Sequence, residues 1–538
     1  MNLVEAIAQI LKLEGVQNIM CYPRHALIDP CAKLGIRPYV CRQERVGVGM
    51  ADGISRSTDG RQIGVFLMQG GAGIENGFGG VAQVFGDNVP VLILPTGPVG
   101  RNHTTPHFQA VKNFGNITKW VTDIDKPARI GEIMRRAFHN LRNGKPGPVM
   151  VELQNEFLTA DVGDTLDYTP VKRVRSAPDP ADVRTVAQLL LDAKCPVIHA
   201  GQGVMYAGAT PELVKLSELL QIPVMTTNTG KSAFPEHHPL ALGASTGSAP
   251  KAVFHFMKKA DLIIGIGASF SINPWTPKIP PGKKLVHITN DAGDMNKERA
   301  NVAAILGDAK LVLQALIDEI GARKGKAVDT AAEMRSVREE WLREWMPELT
   351  SSEVPINQFR IIHDIMDNVD RENTIVTHEA GSPREQLVTF WESRAPRGYL
   401  GWGKSTQLGH GLGLIMGAKI ANPDKLCLNF MGDASFGQVG MDIETAVRSR
   451  LGIITTVFNN GIMAGEVDSM PYATEKFGSS DFTGNYSEVA KGLGAWSRRV
   501  DKPDAYLPAF REAQEAAKAG QPALIEVMSK QNHKFSRY

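Results

Sequence analysis

Asp433 stands just past one apolar run, Leu426 to Met431, directly after Gly432. Asn460 stands just past the next, Ile453 to Phe458, directly after Asn459. Hard oxygen donors of this kind suit Mg²⁺ or Ca²⁺, and Mg²⁺ is usually shared between one or two protein oxygens and phosphate groups. If the two runs are neighbouring parallel strands, both side chains meet beyond the carboxyl ends of the sheet, where open α/β sheets bind ligands. A helix expected from about Gly437 would add free backbone N–H groups at its start. The arrangement admits a metal-bridged diphosphate. It also admits a plainer reading, with Asp433 as a helix cap and Asn459-Asn460 as a turn. A further carboxylate, Glu44, follows another apolar run and opens a small-residue helix over Glu44–Ser57. Taken alone, a glutamate in a first helical turn is commonplace.

These groups need a scaffold, and the chain alternates helix-period and short apolar segments nearly throughout. That alternation predicts α/β domains, each a doubly wound parallel sheet with helices on both faces. At 538 residues the chain is too long for one core. Three blocks are expected: 1–170, closing after "GKPGPVMVELQNEF"; 180–328, reached through the Pro- and charge-rich linker "DYTPVKRVRSAPDPADV"; and 353–538. Strands are expected at Asn18–Cys21, Gly64–Met68 and Val89–Leu94, and in "CPVIHAG", "IPVMTT", "DLIIGIG" and "KLVHIT". A charged helix is expected over Asp329 to Trp345.

Hydrophobic content of 43%, charge of 22% and a net charge of +2 are ordinary for a globular protein and give no footing for nucleic acid. Five cysteines without a CxxC pair suit a reducing cytoplasm. Leu3, Val4, Ile7, Ile10 and Leu11 follow helical spacing, so the N-terminus reads as a domain's first helix, not a signal peptide. No apolar run reaches the roughly 18 residues of a membrane span.

The joint pattern Gly432-Asp433 … Asn459-Asn460 resembles the thiamine-diphosphate motif, Gly-Asp-Gly followed by Asn-Asn, with Ala434 in place of the last glycine. "GDASFGQVGMDIET" is similar to the variant found in oxalyl-CoA decarboxylases and 2-hydroxyacyl-CoA lyases. "YVCRQERVGVGMADGISRST" resembles the segment carrying that family's catalytic glutamate. "MQGGAGIENGFGGVAQVFGDNVPVLILPTG" and "KSTQLGHGLGLIMGAKIA" resemble two more of its segments. The general form is nearest to acetolactate synthases and 2-oxoacid decarboxylases. The resemblance implies pyrimidine-binding, central and diphosphate-binding domains in that order, a homodimer or homotetramer with active sites at subunit interfaces, and thiamine diphosphate with Mg²⁺. It maps the metal ligands to Asp433, Asn460 and the carbonyl of Ile462. Glu44 falls where the family's glutamate meets N1′ of the aminopyrimidine, and Leu408 where a bulky residue bends the cofactor. Other cofactor contacts map to Gly71, Asn76, Gly381, Ser382, Gly432, Ala434, Ser435 and Met463.

The implied activity is cleavage or formation of a C–C bond beside a carbonyl, through a C2 ylide and an enamine, starting from a small 2-oxoacid or 2-hydroxyacyl donor. Candidate substrate-handling residues lie in two loops. "CYPRHALID" carries Arg24 and His25, and "GRNHTTPHFQAVKNFGNITKW" carries His103, His107 and Phe108-Gln109. Histidine trades protons near neutral pH. Each of these histidines could equally be an ordinary loop residue, and Leu408 a plain core leucine. The segment after Asn460 lacks the Trp that acetolactate synthases carry, and Glu466 is a spare carboxylate there. The basic C-terminus, "EVMSKQNHKFSRY", could be a lid or idle. Rival readings are a CoA-thioester lyase, for which only Lys258-Lys259 and Lys283-Lys284 speak; a flavin oxidase, with FAD possible in the central block but unsupported by any residue; and an inactive cofactor-binding subunit.

Overall fold

The computed structural model describes the chain except residues 98–108, 274–275, 277–278, 323–329 and 533. Three six-stranded sheets carry it, one per expected block. The first orders its strands Arg37–Val40, Asn18–Cys21, Gly64–Met68, Val91–Pro95, Val149–Glu152 and Trp120–Asp123. The second runs Ala303–Leu306, Lys284–Thr289, Leu262–Ile266, Pro196–Ala200, Val224–Thr226 and Ala241–Ala244. The third runs Tyr399–Leu400, Thr374–His378, Leu426–Gly432, Ile453–Asn459, Ala523–Met528 and Trp496–Val500. Neighbouring strands are parallel in all three. Helices cover both faces, so inner strands such as Gly64–Met68 and Leu262–Ile266 are buried at every position and read as continuous apolar runs.

The expected helix Glu44–Ser57 forms with those limits. The run at Val89 begins its strand two residues later, at Val91. The helix expected over Asp329 to Trp345 spans Ala331–Leu349. The Pro-rich stretch stays irregular until Pro180, where Asp179 caps a helix by accepting the Ala181 N–H at 2.7 Å. One expectation needs correction. The helix after the Leu426–Gly432 strand covers Asp433–Val439 and does not start near Gly437. Gly432 is still extended, at ψ 162°, and the Asp433 carboxylate takes the Ala434 N–H at 2.8 Å, so the helix begins where the strand stops.

The first and third sheets are locked together through two helices. Glu44–Ser57 crosses His410–Ala421 glycine against glycine. A Cβ on Gly53 would stand 2.1 Å from the Leu414 carbonyl oxygen, and one on Gly417 would stand 1.9 Å from that of Met50. Beside this crossing Arg56, fully buried, meets Asp52 at 2.6 Å and Asp87 at 3.2 Å and donates to the Gly401 carbonyl at 2.7 Å. His410 Nε2 lies 2.9 Å from Asp52 Oδ2, the oxygen that Arg56 also meets. The C-terminal tail turns back onto the second block. Ser536 donates to the Ala249 carbonyl at 2.7 Å and accepts from Trp341 Nε1 at 2.9 Å, while Trp345 Nε1 donates to the Tyr538 hydroxyl at 3.1 Å. The tail is a strap across the central block in this chain.

Candidate active site

The strands Leu426–Gly432 and Ile453–Asn459 are neighbours, with Gly432 opposite Phe458. Asp433 and Asn460 therefore emerge side by side at their carboxyl ends. Asp433 is only 3% exposed, and its oxygens accept the N–H groups of Ala434 and Gly461, both at 2.8 Å. No Lys, Arg or His pairs with it among the described residues, and burial pushes its carboxyl above the usual range. A buried carboxylate with no cationic partner is costly unless something positive joins it.

The two asparagines divide the work. Asn459 is structural, donating its side-chain amide to Glu526 Oε1 at 2.7 Å and to the Gly484 carbonyl at 3.3 Å. Asn460 is half-buried, and its side-chain oxygen accepts the Ile462 N–H at 3.2 Å. Ile462 forms an isolated antiparallel bridge with Asp481. Its bonds run from Phe482 to Gly461 and from Met463 to Ser480. That register leaves the Ile462 carbonyl without an N–H donor among the described residues. One carboxylate, one amide oxygen and one free carbonyl fit a hard divalent cation that keeps positions open for phosphate and water. Among the described residues no cluster of three His, Cys, Asp or Glu competes for a metal. Ala434 sits inside a helix, where no glycine conformation is needed. Buried Ser435 ties back to the Gly432 carbonyl at 2.8 Å.

Gly381 and Leu408 flank this site on neighbouring loops. Gly381, at φ 87°, is exposed and opens the helix Ser382–Phe390. Leu408 is half-buried and is followed by Gly409 at φ 93°. Both glycines hold left-handed conformations that other residues rarely take.

Glu44 is buried, and burial raises its carboxyl pKa while a 3.2 Å hydrogen bond from Asn76 Nδ2 opposes the shift. The helix Ala72–Gly86, entered through Gly71 at φ 67°, lies close against it. A Cβ on Gly73 would come 3.0 Å from Glu44 Oε1. Glu44 faces a cleft shared with Tyr22, Gln69 and Asn76 of the first block and Gln438, Val439 and Asp442 of the third.

The substrate loops are less complete. His25 has both ring nitrogens engaged, with Nδ1 accepting the Leu27 N–H at 3.2 Å and Nε2 lying 2.9 Å from the Leu94 carbonyl. Nε2 therefore carries the proton, and burial lowers the pKa to about 4, so the ring is neutral. Arg24 and Glu466 are exposed. Gln109 is exposed at the start of the short helix Ala110–Phe114. His103, His107 and Phe108 lie outside the described residues. Sequence reasoning missed Glu379, a fully buried carboxyl at the end of the strand Thr374–His378. Its one signal was an acidic residue straight after a short β-branched segment, Thr374–Thr377, and His378, weaker than the apolar run that singled out Asp433.

Three domain families match the chain: "Thiamine pyrophosphate enzyme, N-terminal TPP binding domain" over residues 1–114, the central domain over 183–316 and the C-terminal TPP binding domain over 379–527. The chain belongs to the thiamine pyrophosphate enzymes. Three of its relatives match it over more than nine tenths of their own length. A probable acetolactate synthase large subunit of Methanocaldococcus jannaschii is 28% identical over 97% of this chain and 91% of its own. A sulfoacetaldehyde acetyltransferase of Alcaligenes xylosoxydans xylosoxydans is 26% identical over 97% and 92%. A glyoxylate carboligase of Escherichia coli O157:H7 is 26% identical over 98% and 93%. The protein is thus a thiamine-diphosphate-dependent enzyme of the carboligase and decarboxylase kind. Among its described residues no helix is long and apolar enough to cross a membrane.

A cleft at the carboxyl ends of the central sheet is lined by His199, Gln202, Thr227, Ser245, Ser269 and Thr289, among others. The lysine pairs considered for a CoA nucleotide do not line it. Lys259 pairs with Glu333 at 2.5 Å, and Lys283 donates to the Lys258 carbonyl at 2.6 Å.

Proposed function

We propose that this enzyme uses Mg²⁺ and thiamine diphosphate to break or form a C–C bond next to the carbonyl of a small 2-oxoacid or aldehyde. The observation that carries the reading is Asp433, buried and with no Lys, Arg or His partner among the described residues, beside Asn460 and an Ile462 carbonyl that none of their N–H groups reaches. Those three oxygens would hold the Mg²⁺, and the Gly381-Ser382 loop would help to hold the diphosphate. When bound, the cofactor supplies an acidic ring carbon that adds to a carbonyl and stores the electron pair released there. Glu44 would hold a proton shared with the aminopyrimidine ring, and its burial shifts the carboxyl pKa upward, the direction that favours such sharing. Leu408 would fix the cofactor's bend, and Gly71, Asn76 and Met463 would line it. His25, His103 and Gln109 are our candidates for handling the substrate.

We further propose an active dimer or tetramer in the cytoplasm, with domains 1–170, 180–328 and 353–538. Asp433 opens its helix, whereas the residues of that helix that reach the Glu44 cleft, Gln438 and Val439, lie at its other end, about 8 Å along the axis. One thiamine diphosphate can bridge that spacing, and it is the family resemblance that leads us to propose a Glu44 serving the Asp433 of a second subunit. Exposed aromatic residues beside each half-site suit such a contact: Phe78 near Asn76, and Tyr472 and Phe477 beyond Asn460. The relatives' names concern acetolactate, sulfoacetaldehyde and glyoxylate, all small carbonyl compounds or their products. The test is a panel of pyruvate, glyoxylate, sulfoacetaldehyde and longer 2-oxoacids, with and without aldehyde acceptors. Carbon dioxide release and carboligated products are followed. Turnover of at least one donor that depends on both cofactors supports the reading, and none across the panel by protein with bound cofactor contradicts it.

A further inference from the structure

Glu379 is a fully buried carboxyl beside the site that no step above uses. It is fully buried at the carboxyl end of the strand Thr374–His378, two residues before Gly381. Its Oε2 accepts the Gly409 N–H at 2.9 Å, and its Oε1 accepts the Ala380 N–H at 3.3 Å. One side chain thus joins the loop that opens the Ser382–Phe390 helix to the loop that carries Leu408. The first turn of the His410–Ala421 helix is pressed onto the same strand end. A Cβ on Gly411 would come within 2.8 Å of the His378 carbonyl oxygen and 2.9 Å of Asn429 Oδ1. We propose that Glu379 is a positioning residue that ties the Leu408 loop to the Gly381 loop and so sets where the Leu408 side chain stands. The proposal rests on the thiamine-diphosphate reading, which gives Leu408 its task.

The surroundings suit a clamp better than a plain structural carboxylate. Burial pushes the Glu379 carboxyl up to about 8, against the pull of the Ala380, Gly409 and Gly411 amides and of Arg45. Arg45 makes no ion pair with Glu379. Its guanidinium donates to Gln43 and Gln438. His378, next along the strand, is held well below its usual value by burial, and so adds no charge. A carboxyl group in this place accepts a backbone N–H on each oxygen, and one of the two bonds is lost or inverted if an oxygen becomes an amide nitrogen.

The experiment is a double-mutant cycle on the full-length protein: wild type, Glu379→Gln, Leu408→Ala and the double variant. Two readouts are used. One is amide hydrogen exchange over residues 406–412 in the cofactor-free protein. The other is the rate of H/D exchange at cofactor C2, read by NMR after acid quench in protein loaded with thiamine diphosphate and Mg²⁺. In Glu379→Gln we expect faster amide exchange at Gly409 and a 10- to 100-fold slower C2 exchange, a range below the full loss of a general acid or base. The double variant is expected to be no slower than Leu408→Ala alone, because both changes remove the same placement. Additive losses, or an unchanged C2 rate in folded Glu379→Gln, overturn the proposal. If Glu379→Gln does not fold, Glu379→Asp, which keeps the carboxyl group and shortens its reach, enters the same cycle under the same criteria. Failure of wild type to bind thiamine diphosphate would instead overturn the functional reading itself.

Discussion

The Asp433 carboxylate accepts the backbone N–H of Gly461 at 2.8 Å, which joins the end of one central strand to the end of its neighbour. This bond holds Asp433 beside Asn460 and turns the chain so that the Ile462 carbonyl is left free. A single buried carboxylate thereby organises the three oxygens proposed to hold the metal.

Glu44→Gln removes the proton-holding carboxyl while keeping its size and its contact with Asn76. C2 exchange of bound cofactor should fall about 10²–10⁴-fold, the range for a lost general acid or base. Cofactor affinity should change far less, because the metal ligands are untouched. Quenched-exchange NMR beside calorimetry separates the two effects. An unaltered exchange rate would remove Glu44 from the chemistry.

Subunit sharing has its own check. Mixed Glu44→Gln and Asp433→Ala chains should regain activity if each site takes Glu44 from one subunit and Asp433 from the other. Half of the sites in a mixed dimer then carry neither lesion. Verified mixed dimers with no activity would place both residues in one chain's site.

The cluster at the helix crossing is structural. Arg56→Met strands Asp52 and Asp87 in the interior and should cost about 3–5 kcal/mol in urea unfolding. Arg56 and His410 help to hold the Asp52 carboxyl down to about 2 against its burial. A depressed carboxylate contributes stability above its unfolded value of 3.8, and this is lost as pH falls through 2. Wild type should therefore lose stability across that window. Asp52→Asn should be less stable at pH 6 and lose less on acidification. Equal acid slopes for the two proteins would contradict this.

His25 is neutral, with a pKa lowered to about 4 from 6.5. Its contribution to stability is complete above 6.5 and is lost as pH falls through 4. A pH-rate transition between 5 and 8 should thus persist in His25→Ala. Turnover itself should drop about 10²–10⁴-fold if His25 handles the substrate, with C2 exchange intact. Unchanged turnover would leave it as the bridge between Leu27 and Leu94.

Much of this was legible in the residues. Inner parallel strands announce themselves as apolar runs, and Asp433, Asn460 and Glu44 stand at the ends of such runs or just beyond them. What was hidden depends on packing between distant segments. Nothing local to His378-Glu379-Ala380 says that Gly409 will donate to Glu379, thirty residues on. The Gly53–Gly417 crossing likewise needs both helices before its glycines acquire a reason. The helix start expected at Gly437 failed because an extended Gly432 and an acidic first residue are enough to begin a helix at Asp433.

The central claim is that Asp433, Asn460 and the Ile462 carbonyl hold a divalent cation that anchors thiamine diphosphate. Calorimetric titration of thiamine diphosphate tests it most directly, using wild type and Asp433→Ala, each with Mg²⁺ and with chelator. Binding should be tight only for wild type with Mg²⁺ and fall at least about 100-fold in the other three arms, a loss of roughly 3 kcal/mol. Equal affinity for Asp433→Ala and wild type in Mg²⁺ would contradict the account.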